Sequence, residues 1–474
     1  MEQIYYLYEK YKKYKYLMCF LIVFLIILLS NLHSSHLSFY YDASGYWELG
    51  KTFFGQGRFN ILNYKEALRG YLYPLINSMF YLLAQALHLN EIFLFRSVNA
   101  VIVAFLIAVL IPKLFSLILN KEITAFQNLA FCVITTIFWR GYFLYPLSDF
   151  PALFALLAGI YIVLQNYYKR IERVQITQAI KYILAGVCIA ASVNIRPSYQ
   201  IIIIPFFFLL FICFYKRVSR KTAAVYIICT VVGLLICFIP QIYINYFNFQ
   251  VLSPFIQTSL SSYGKSLLIQ QIEWGIFMQK YETYIGNGLE PAMRYIDFQG
   301  QGILQKENIS TISSIGQYIK LLFKYPVDFI CIYFRHIFNG IDINYNTPYV
   351  ENAYENRIIF SMVNYTLWFF FLAKVKKVKK IESGHLVKGI TYIIIVLPAL
   401  LSIMGAIEPR FFIPIFILCY AANCYTLNIS DVLNRLKKST LLEWISFIVF
   451  IVLCFTLSAN TNLMLENATI LIGN

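Results

Sequence analysis

Charged side chains are scarce in this sequence, and their scarcity excludes a set of soluble domains. Only 13% of the 474 residues are Asp, Glu, Lys or Arg, whereas 59% are hydrophobic and the mean hydropathy is +0.65. Several apolar runs approach the roughly 20 residues that a helix needs to cross hydrocarbon. Because backbone polar groups cannot stay unpaired in lipid, these runs are predicted to be α-helices. The short alternating segments of a β-barrel are absent from the sequence.

Paired cysteine motifs and metal-ligand clusters are lacking too. None of the ten cysteines belongs to a Cys-x-x-Cys motif, and nearly all lie inside apolar runs. They are therefore expected to be small buried hydrophobes, with neither a disulfide framework nor a zinc site. The five histidines are scattered, and no His, Asp and Glu cluster has the spacing of metal ligands. A divalent cation stays open as a cofactor, but no residue is assigned to it.

Positive charge is abundant by contrast, and its distribution indicates membrane orientation. The formal net charge is +16. The basic clusters each flank an apolar run, as cytoplasmic loops do. They are found at Lys10 to Lys15, at Lys169, Arg170 and Arg173, at Lys216, Arg217, Arg220 and Lys221, at 374–380, and at Arg435, Lys437 and Lys438. Such clusters are expected to contact anionic lipid headgroups, and nothing supports a nucleic acid partner.

Hydrophobic runs between these clusters predict an all-α polytopic membrane protein with about eleven spans and a cytoplasmic N-terminus. The spans are predicted near 17–32, 97–118, 123–139, 150–167, 179–194, 198–215, 222–246, 356–373, 386–407, 411–428 and 440–458. Segment 71–89 is apolar enough to cross, but a span there would place the clusters at Lys169 and Lys216 outside. We therefore expect 71–89, and likewise 318–338, to lie flat at the outer surface as interfacial helices.

This topology predicts one integral membrane domain over residues 1–474, without a separate soluble C-terminal domain. Two outer loops stand out, a first loop at 33–96 and a large loop at 247–355. Polar motifs from four places fall on the predicted outer face. They are Asp42 and Tyr46 with Arg69 and Tyr73 in the first loop, Asp149 before the fourth span, Arg196 in a short turn, and Glu408 with Arg410 near the C-terminus. Acids and arginines at one water–lipid boundary suit a reaction between an anionic lipid and a polar acceptor.

These motifs, in this order, resemble the GT-C superfamily of lipid-carrier-dependent glycosyltransferases. The most similar members are bacterial protein O-mannosyltransferases and aminoarabinose lipid A transferases. Members carry an acid in the first outer loop with an aromatic residue four positions on, which Asp42 and Tyr46 resemble. Segment 69–75 resembles their arginine and proline–aromatic stretch, Asp149 their second acid, and segment 408–414 their late Glu/Arg–aromatic–Pro motif. Many relatives have a second acid beside the first, whereas Ala43 stands here.

The resemblance implies an enzyme of the bacterial cytoplasmic membrane with an extracytoplasmic active site. It would move a hexose or pentose from a polyprenyl-phosphate donor to a glycan, glycolipid or protein acceptor, with inversion, in surface or cell-wall glycan modification. A carboxylate suits the general base, the role expected of Asp42. Asp149 would orient the acceptor or help to hold a cation. Arginine binds phosphate in a bidentate manner, so Arg410 is the first candidate donor ligand, followed by Arg69 and Arg196. Glu408 would hold Arg410 in place, and Tyr46 and Tyr73 would support the site.

Other interpretations stay open at this point. Asp42 and Asp149 are also suitable N-terminal caps of the helices that follow them, and Arg410 could extend to lipid headgroups. A polysaccharide polymerase or ligase would depend on loop arginines, for which Arg294, Arg335 and Arg357 are candidates. A lipid-linked sugar flippase would show internal repeats and broken helices in two halves, and no clear repeat is found.

Overall fold

A computed structural model of the chain describes residues 2–33, 38–55, 57–168, 174–215, 217–260, 265–286, 292–352, 357–375, 385–428 and 440–466. Several basic residues expected to set the membrane orientation lie outside the described residues. They are Lys169, Arg170, Arg173, Lys216, the lysines of 376–380, Arg435, Lys437 and Lys438.

The described chain is mostly α-helical. In chain order the helices are α1 (Glu2–Leu32), α2 (Tyr41–Thr52), α3 (Leu72–Ala86), α4 (Glu91–Phe105), α5 (Ile111–Leu119), α6 (Ala125–Trp139), α7 (Asp149–Tyr168), α8 (Ile176–Ile195), α9 (Ile203–Phe214), α10 (Arg220–Phe249), α11 (Leu267–Phe277), α12 (Phe298–Lys306), α13 (Ile315–Lys324), α14 (Pro326–Ile341), α15 (Ile358–Val375), α16 (His385–Leu401), α17 (Ile413–Tyr425) and α18 (Leu441–Leu463).

Nine helical stretches of the described residues are long and apolar enough to cross a membrane. They are Tyr14–Leu32, Glu91–Leu119, Asp149–Tyr168, Ile176–Ile195, Pro197–Phe214, Arg220–Phe249, Ile358–Val375, Leu386–Met404 and Leu441–Leu463. Two shorter apolar helices, Ala125–Trp139 and Pro409–Tyr425, fall where two further spans are predicted. The chain is thus a multi-pass α-helical membrane protein, while the count of eleven spans stays a prediction.

The chain divides into two compact units. Unit 1 comprises Met1–Gln257 and Lys380–Pro398, and unit 2 comprises Thr258–Lys379 and Ala399–Asn474. Unit 1 contains the predicted first outer loop, in which α2 and α3 are the two helices. At 15 residues, α3 is about 22 Å long and shorter than the roughly 30 Å of a hydrocarbon core.

The central packing of unit 1 depends on small residues between helices. A methyl group on Gly186 of α8 would lie 2.1 Å from the carbonyl oxygen of Thr230, and one on Gly233 of α10 would lie 2.0 Å from that of Ile183. Both glycines therefore bring the backbones of α8 and α10 into direct contact, as small residues do between membrane helices.

A π-helical segment, Leu106–Leu110, interrupts the long helix between α4 and α5. Such a segment disturbs the i to i−4 hydrogen-bond ladder and leaves a backbone group in need of a partner. The buried amide of Asn128 in α6 donates to the carbonyl of Ala108 at 3.1 Å. The side chain of Asn128 therefore pairs with a backbone carbonyl of the π-helical segment inside an apolar helix bundle.

Unit 2 contains a small sheet that the sequence analysis did not anticipate in the large loop. Strand β1 (Met278–Tyr284) pairs antiparallel with β2 (Ala292–Ile296) and parallel with β3 (Tyr349–Val350). Segment 318–338, expected to form one interfacial helix, instead forms α13 and α14 on either side of Tyr325. Pro326 opens α14 at the first helical position, where its missing N–H is no loss.

Candidate active site

Asp42 lies in the first turn of α2, one residue after an unusual backbone turn. Tyr40 occupies the N-cap position with extended backbone and makes no side-chain cap bond. Tyr41 follows with φ of 40°, in the left-handed region that costs a non-glycine residue about 1–2 kcal/mol. Asp42 is therefore inside the helix and not its N-cap, and its side chain is 43% exposed. Its negative charge also suits the positive end of the helix dipole.

Arg69 is the ion-pair partner of Asp42. Its Nη2 donates to Oδ1 of Asp42 at 2.9 Å, and its guanidinium lies 5.1 Å from the centre of the Tyr46 ring. Burial alone would lower the pKa of Arg69, but Tyr46, Asp42 and the nearby Glu66 outweigh burial and raise it. The guanidinium is thus a permanent cation, 31% exposed, beside a half-exposed carboxylate.

Two kinds of backbone contact fix the segment that carries Arg69: hydrogen bonds to its carbonyls and a close approach to α8. The hydroxyl of Tyr64 donates to the carbonyls of Arg69 at 2.9 Å and Gly70 at 3.0 Å. A methyl group on Gly70 would lie 1.9 Å from the carbonyl oxygen of Asn194, at the end of α8. Only glycine lets the segment approach α8 so closely, because a side chain would have to displace backbone.

A chain of buried amides continues this attachment into the helix bundle. Asn194 accepts from the backbone N–H of Leu72 at 2.9 Å and donates to Gln241 at 2.9 Å. Gln241 also accepts from the N–H of Tyr71 and donates to Asn245 at 3.0 Å. Because amides buried in an apolar bundle must find partners, the chain fixes the position of segment 69–72 relative to α8 and α10.

A second ion pair joins Asp149, at the start of α7, to Arg196, just after α8. Nη1 of Arg196 donates to Oδ1 of Asp149, and the two side chains are only 17% and 4% exposed. The other carboxylate oxygen of Asp149, Oδ2, is buried and has no hydrogen-bond partner among the described residues. Buried polar oxygens are nearly always paired, so Oδ2 is positioned to accept from a bound molecule.

Asp149 also lines a small cavity bordered by aromatic side chains. The lining includes Tyr73, Tyr142 and Tyr145 together with Asn99, the remainder being Phe143, Leu147, Phe150 and Pro151. Tyrosines combine apolar area with a polar tip. The cavity has room for about one water-sized group, so it offers the carboxylate and the ring faces to a single hydroxyl.

Tyr46 and Tyr73 lie between the two ion pairs. Their rings meet edge to face with centroids 5.3 Å apart. Burial raises the pKa of Tyr46, although a hydrogen bond with Ser148 and the charge of Arg69 offset part of the rise. Burial also raises the pKa of Tyr73 well above its usual value, and Tyr46 and Asp149 raise it further. Both phenols are thus neutral near pH 7 and keep their protons for hydrogen bonding.

Two residues that sequence analysis missed support the loop before Asp149. Arg96 of α4 is 3% exposed and donates from Nε to the carbonyl of Leu144 at 3.1 Å. Asn99, one turn later, donates to the carbonyl of Phe143 at 2.7 Å. For Arg96 the sequence contained a usable signal. An ionisable residue at the edge of an apolar run is costly to bury, so it indicates a specific partner.

Glu408 and Arg410 pair with each other in unit 2. Nε of Arg410 lies 2.6 Å from Oε2 of Glu408, and its Nη2 donates to Oε1 at 3.0 Å. Both side chains are mostly buried, at 13% exposure for Arg410 and 18% for Glu408. The ion pair restricts the orientation of the Arg410 guanidinium, while the role predicted for Glu408 at a donor site stays a prediction. The structure thus brings Asp42, Arg69, Tyr46, Tyr73, Asp149 and Arg196 together in unit 1, and Glu408 with Arg410 in unit 2.

The three loop arginines considered for a polymerase all have partners inside unit 2. Arg294 contacts Glu466 at 3.5 Å, Arg335 forms a bidentate pair with Asp297 with both distances 2.8 Å, and Arg357 donates to the carbonyl of Asn344 at 3.0 Å. Of the three, Arg335 is held by two hydrogen bonds to one buried acid, whereas the Arg294–Glu466 contact is exposed on both sides.

No cluster of three or more His, Cys, Asp or Glu side chains that could hold a metal ion occurs in the part of the chain that the structure describes. The ten cysteines are free thiols, buried or half-buried. A scan against models of protein families finds no match, and a search of curated proteins finds none either.

Proposed function

We propose that this protein is an inverting membrane glycosyltransferase that uses a polyprenyl-phosphate sugar as donor. The observation that carries the proposal is the arrangement in unit 1, where the ion pairs Asp42–Arg69 and Asp149–Arg196 flank the neutral phenols of Tyr46 and Tyr73. Carboxylates can accept a proton and guanidinium groups can bind phosphate, and this reaction needs both functions.

Donor binding would separate Arg69 from Asp42. A guanidinium beside a carboxylate favours the charged carboxylate and so weakens it as a base. The donor phosphate offers Arg69 a second anionic partner with bidentate geometry. Transfer of Arg69 to the phosphate would remove its charge from Asp42, whose side chain is already 43% exposed to an incoming acceptor. Substrate binding would in this way activate the base.

In the chemical step, Asp42 would take the proton of the acceptor hydroxyl. The acceptor oxygen would form a bond to the anomeric carbon while the bond from that carbon to the phosphate oxygen breaks. Polyprenyl phosphate would leave with the bonding electron pair, and Arg69 would stabilise its growing charge. Attack opposite the leaving group inverts the anomeric centre.

Asp149 would orient the acceptor. Its Oδ2 is buried without a partner among the described residues and borders the tyrosine-lined cavity. A sugar hydroxyl donating to this oxygen would satisfy it, while Arg196 keeps Oδ1 occupied. In unit 2, Arg410 remains a candidate phosphate ligand whose guanidinium is held by the ion pair with Glu408.

The proposed acceptor class rests only on the proposed location of the active site. A multi-pass protein with an active site on the extracytoplasmic face of a bacterial cytoplasmic membrane has access to surface and wall polysaccharides, glycolipids and exported proteins. We propose a surface or cell-wall glycan as acceptor.

The test is turnover of defined donors by the purified, reconstituted protein. The native chain is incubated with polyprenyl-phosphate hexoses and pentoses, and release of polyprenyl phosphate and the anomeric configuration of the product are measured. Inverted product supports the proposal. Turnover confined to polyprenyl-pyrophosphate oligosaccharides would favour a polymerase, and movement of donor across the bilayer without release would favour a flippase.

A further inference from the structure

The hairpin formed by α13 and α14 carries large apolar side chains on two opposite faces. One face packs into the core of unit 2, through Tyr318 and Leu321 of α13 and Phe329 and Ile332 of α14. The opposite face is exposed. It consists of Ile315, Ile319, Phe323, Val327, Ile330, Phe334 and Ile337, named together here as the apolar ridge.

The apolar ridge is continuous and strongly exposed. Its members recur every three or four residues, which places them along one side of each helix. Phe323 is 78% exposed, Val327 69%, Ile330 67% and Phe334 63%. An exposed apolar patch of this extent marks a surface that contacts another apolar phase.

Neither helix can cross a bilayer by itself. The 10 residues of α13 and the 16 residues of α14 give lengths of about 15 and 24 Å, below the roughly 30 Å of a hydrocarbon core. Charged side chains also interrupt the hairpin at Lys320, Lys324, Asp328 and Arg335. The hairpin is therefore suited to lie along a surface.

Contacts within unit 2 hold the end of α14 against two membrane-spanning helices. Asp342, which follows α14, accepts from the hydroxyl of Tyr365 at 2.6 Å and from that of Ser458 at 2.7 Å. Tyr365 lies near the middle of α15 and Ser458 near the end of α18. The two helices are antiparallel, because Tyr365 packs on Phe455 while Phe369 packs on Phe450. The end of the hairpin is thus hydrogen-bonded to two helices that are long and apolar enough to cross a membrane.

The surroundings of the apolar ridge are basic. Lys306, Lys320 and Lys324 are all exposed, and they outnumber the two acids of this segment, Glu307, which pairs with Lys324 at 2.6 Å, and Asp328, which accepts from Gln299. Lysines near an apolar helix face can extend to the polar side of a membrane and bind phosphate there.

We infer that the α13–α14 hairpin is a lipid-docking element for an anionic membrane surface. The apolar ridge enters the acyl-chain boundary, and the three lysines bind the phosphates of anionic headgroups. The inference concerns unit 2 only and does not depend on glycosyl transfer.

The first test asks what the apolar ridge touches. Benzoylphenylalanine is placed at Phe323 or Phe334 in the full chain, which is reconstituted in phosphatidylcholine vesicles containing phosphatidylglycerol and irradiated. Adducts with lipid are expected at both positions. Arg294, exposed on strand β2 and outside the hairpin, is the control position and should give far fewer. A cross-linked dimer in place of lipid adducts would show that a second copy covers the ridge, and equal labelling at position 294 would also overturn the inference.

The second test asks whether the lysines select headgroups. Preference for phosphatidylglycerol over phosphatidylcholine is measured by the lipid retained on the purified protein. Replacing Lys306, Lys320 and Lys324 together with Gln should reduce the preference by about tenfold or more, and replacement with Arg should retain it. An unchanged preference in the Gln variant would contradict the assignment of these lysines.

Discussion

The guanidinium of Arg69 donates to the carboxylate of Asp42 across 2.9 Å, although 27 residues separate them in sequence. The pair is partly exposed on both sides, at 31% and 43%. An anionic ligand can therefore reach Arg69 without unfolding its surroundings. In the proposed mechanism the same ligand would draw Arg69 away from Asp42, which would couple phosphate binding to activation of the base.

Replacing Arg69 with Lys should weaken donor binding. Lysine keeps the positive charge but loses the planar fork that binds phosphate oxygens in two places. We expect KM for the donor to rise about tenfold or more with a smaller change in kcat. Steady-state kinetics over a donor series measures both. An unchanged KM would remove Arg69 from the phosphate site.

Neutralising the two acids should affect stability very differently. Asp149→Asn removes the negative charge from the mostly buried ion pair with Arg196, and breaking a buried pair costs about 3–5 kcal/mol. Asp42→Asn disturbs an exposed pair worth about 1 kcal/mol or less. Thermal unfolding in detergent should therefore show a much lower Tm for Asp149→Asn. Equal Tm values for the two variants would contradict the difference in burial.

Gly70→Ala should displace the segment that carries Arg69. The added methyl group would lie 1.9 Å from the carbonyl oxygen of Asn194, so the backbone must move. We expect a loss of stability of a few kcal/mol, about 1–3 as for overpacked sites, together with weaker donor binding. Gly389→Ala is the matched control in unit 1, because nothing lies within 4 Å of its added methyl group. A Gly70→Ala variant as stable as this control would show that the segment is loosely held.

Acid should destabilise the protein through His336. Burial lowers the pKa of this imidazole below its usual 6.5, while its bond to the Ile403 carbonyl and the charge of Asp297 oppose the shift. Since the unfolded chain binds a proton more readily, stability is complete above about pH 6.5 and falls as the pH drops below that value. The Tm measured across this range should fall less for His336→Gln than for the native chain. Parallel curves would assign the acid sensitivity to other groups.

The long apolar helices could be predicted from the sequence because each is encoded by a local run of residues. A run of apolar residues long enough to span lipid has to be helical, and the nine long apolar helices of the described chain follow from that constraint. The small sheet of unit 2 was missed. β1 contains Lys280, a lysine with no exposed surface that pairs with Glu282 at 2.9 Å, and buried charge obscures the pattern of a strand.

The sequence alone could not show which acid each arginine pairs with. Arg69, Arg196 and Arg410 were all candidates for phosphate binding, and the sequence ranked Arg410 first. In the structure each pairs with an acid, and only Arg410 does so with a neighbour in sequence. The amide chain from Asn194 through Gln241 to Asn245 could not be predicted either, because such contacts depend on how the helices pack.

The most direct test of the account is the rate of sugar transfer by Asp42→Asn at saturating donor. Loss of a general base should reduce this rate by about 10²–10⁴, while the Tm stays within a few degrees of the native value. Glu48→Gln is the matched control, since Glu48 is an exposed acid on the same helix and pairs with Lys51. The account predicts near-native transfer for this control. Near-native transfer by a well-folded Asp42→Asn variant would contradict the central claim.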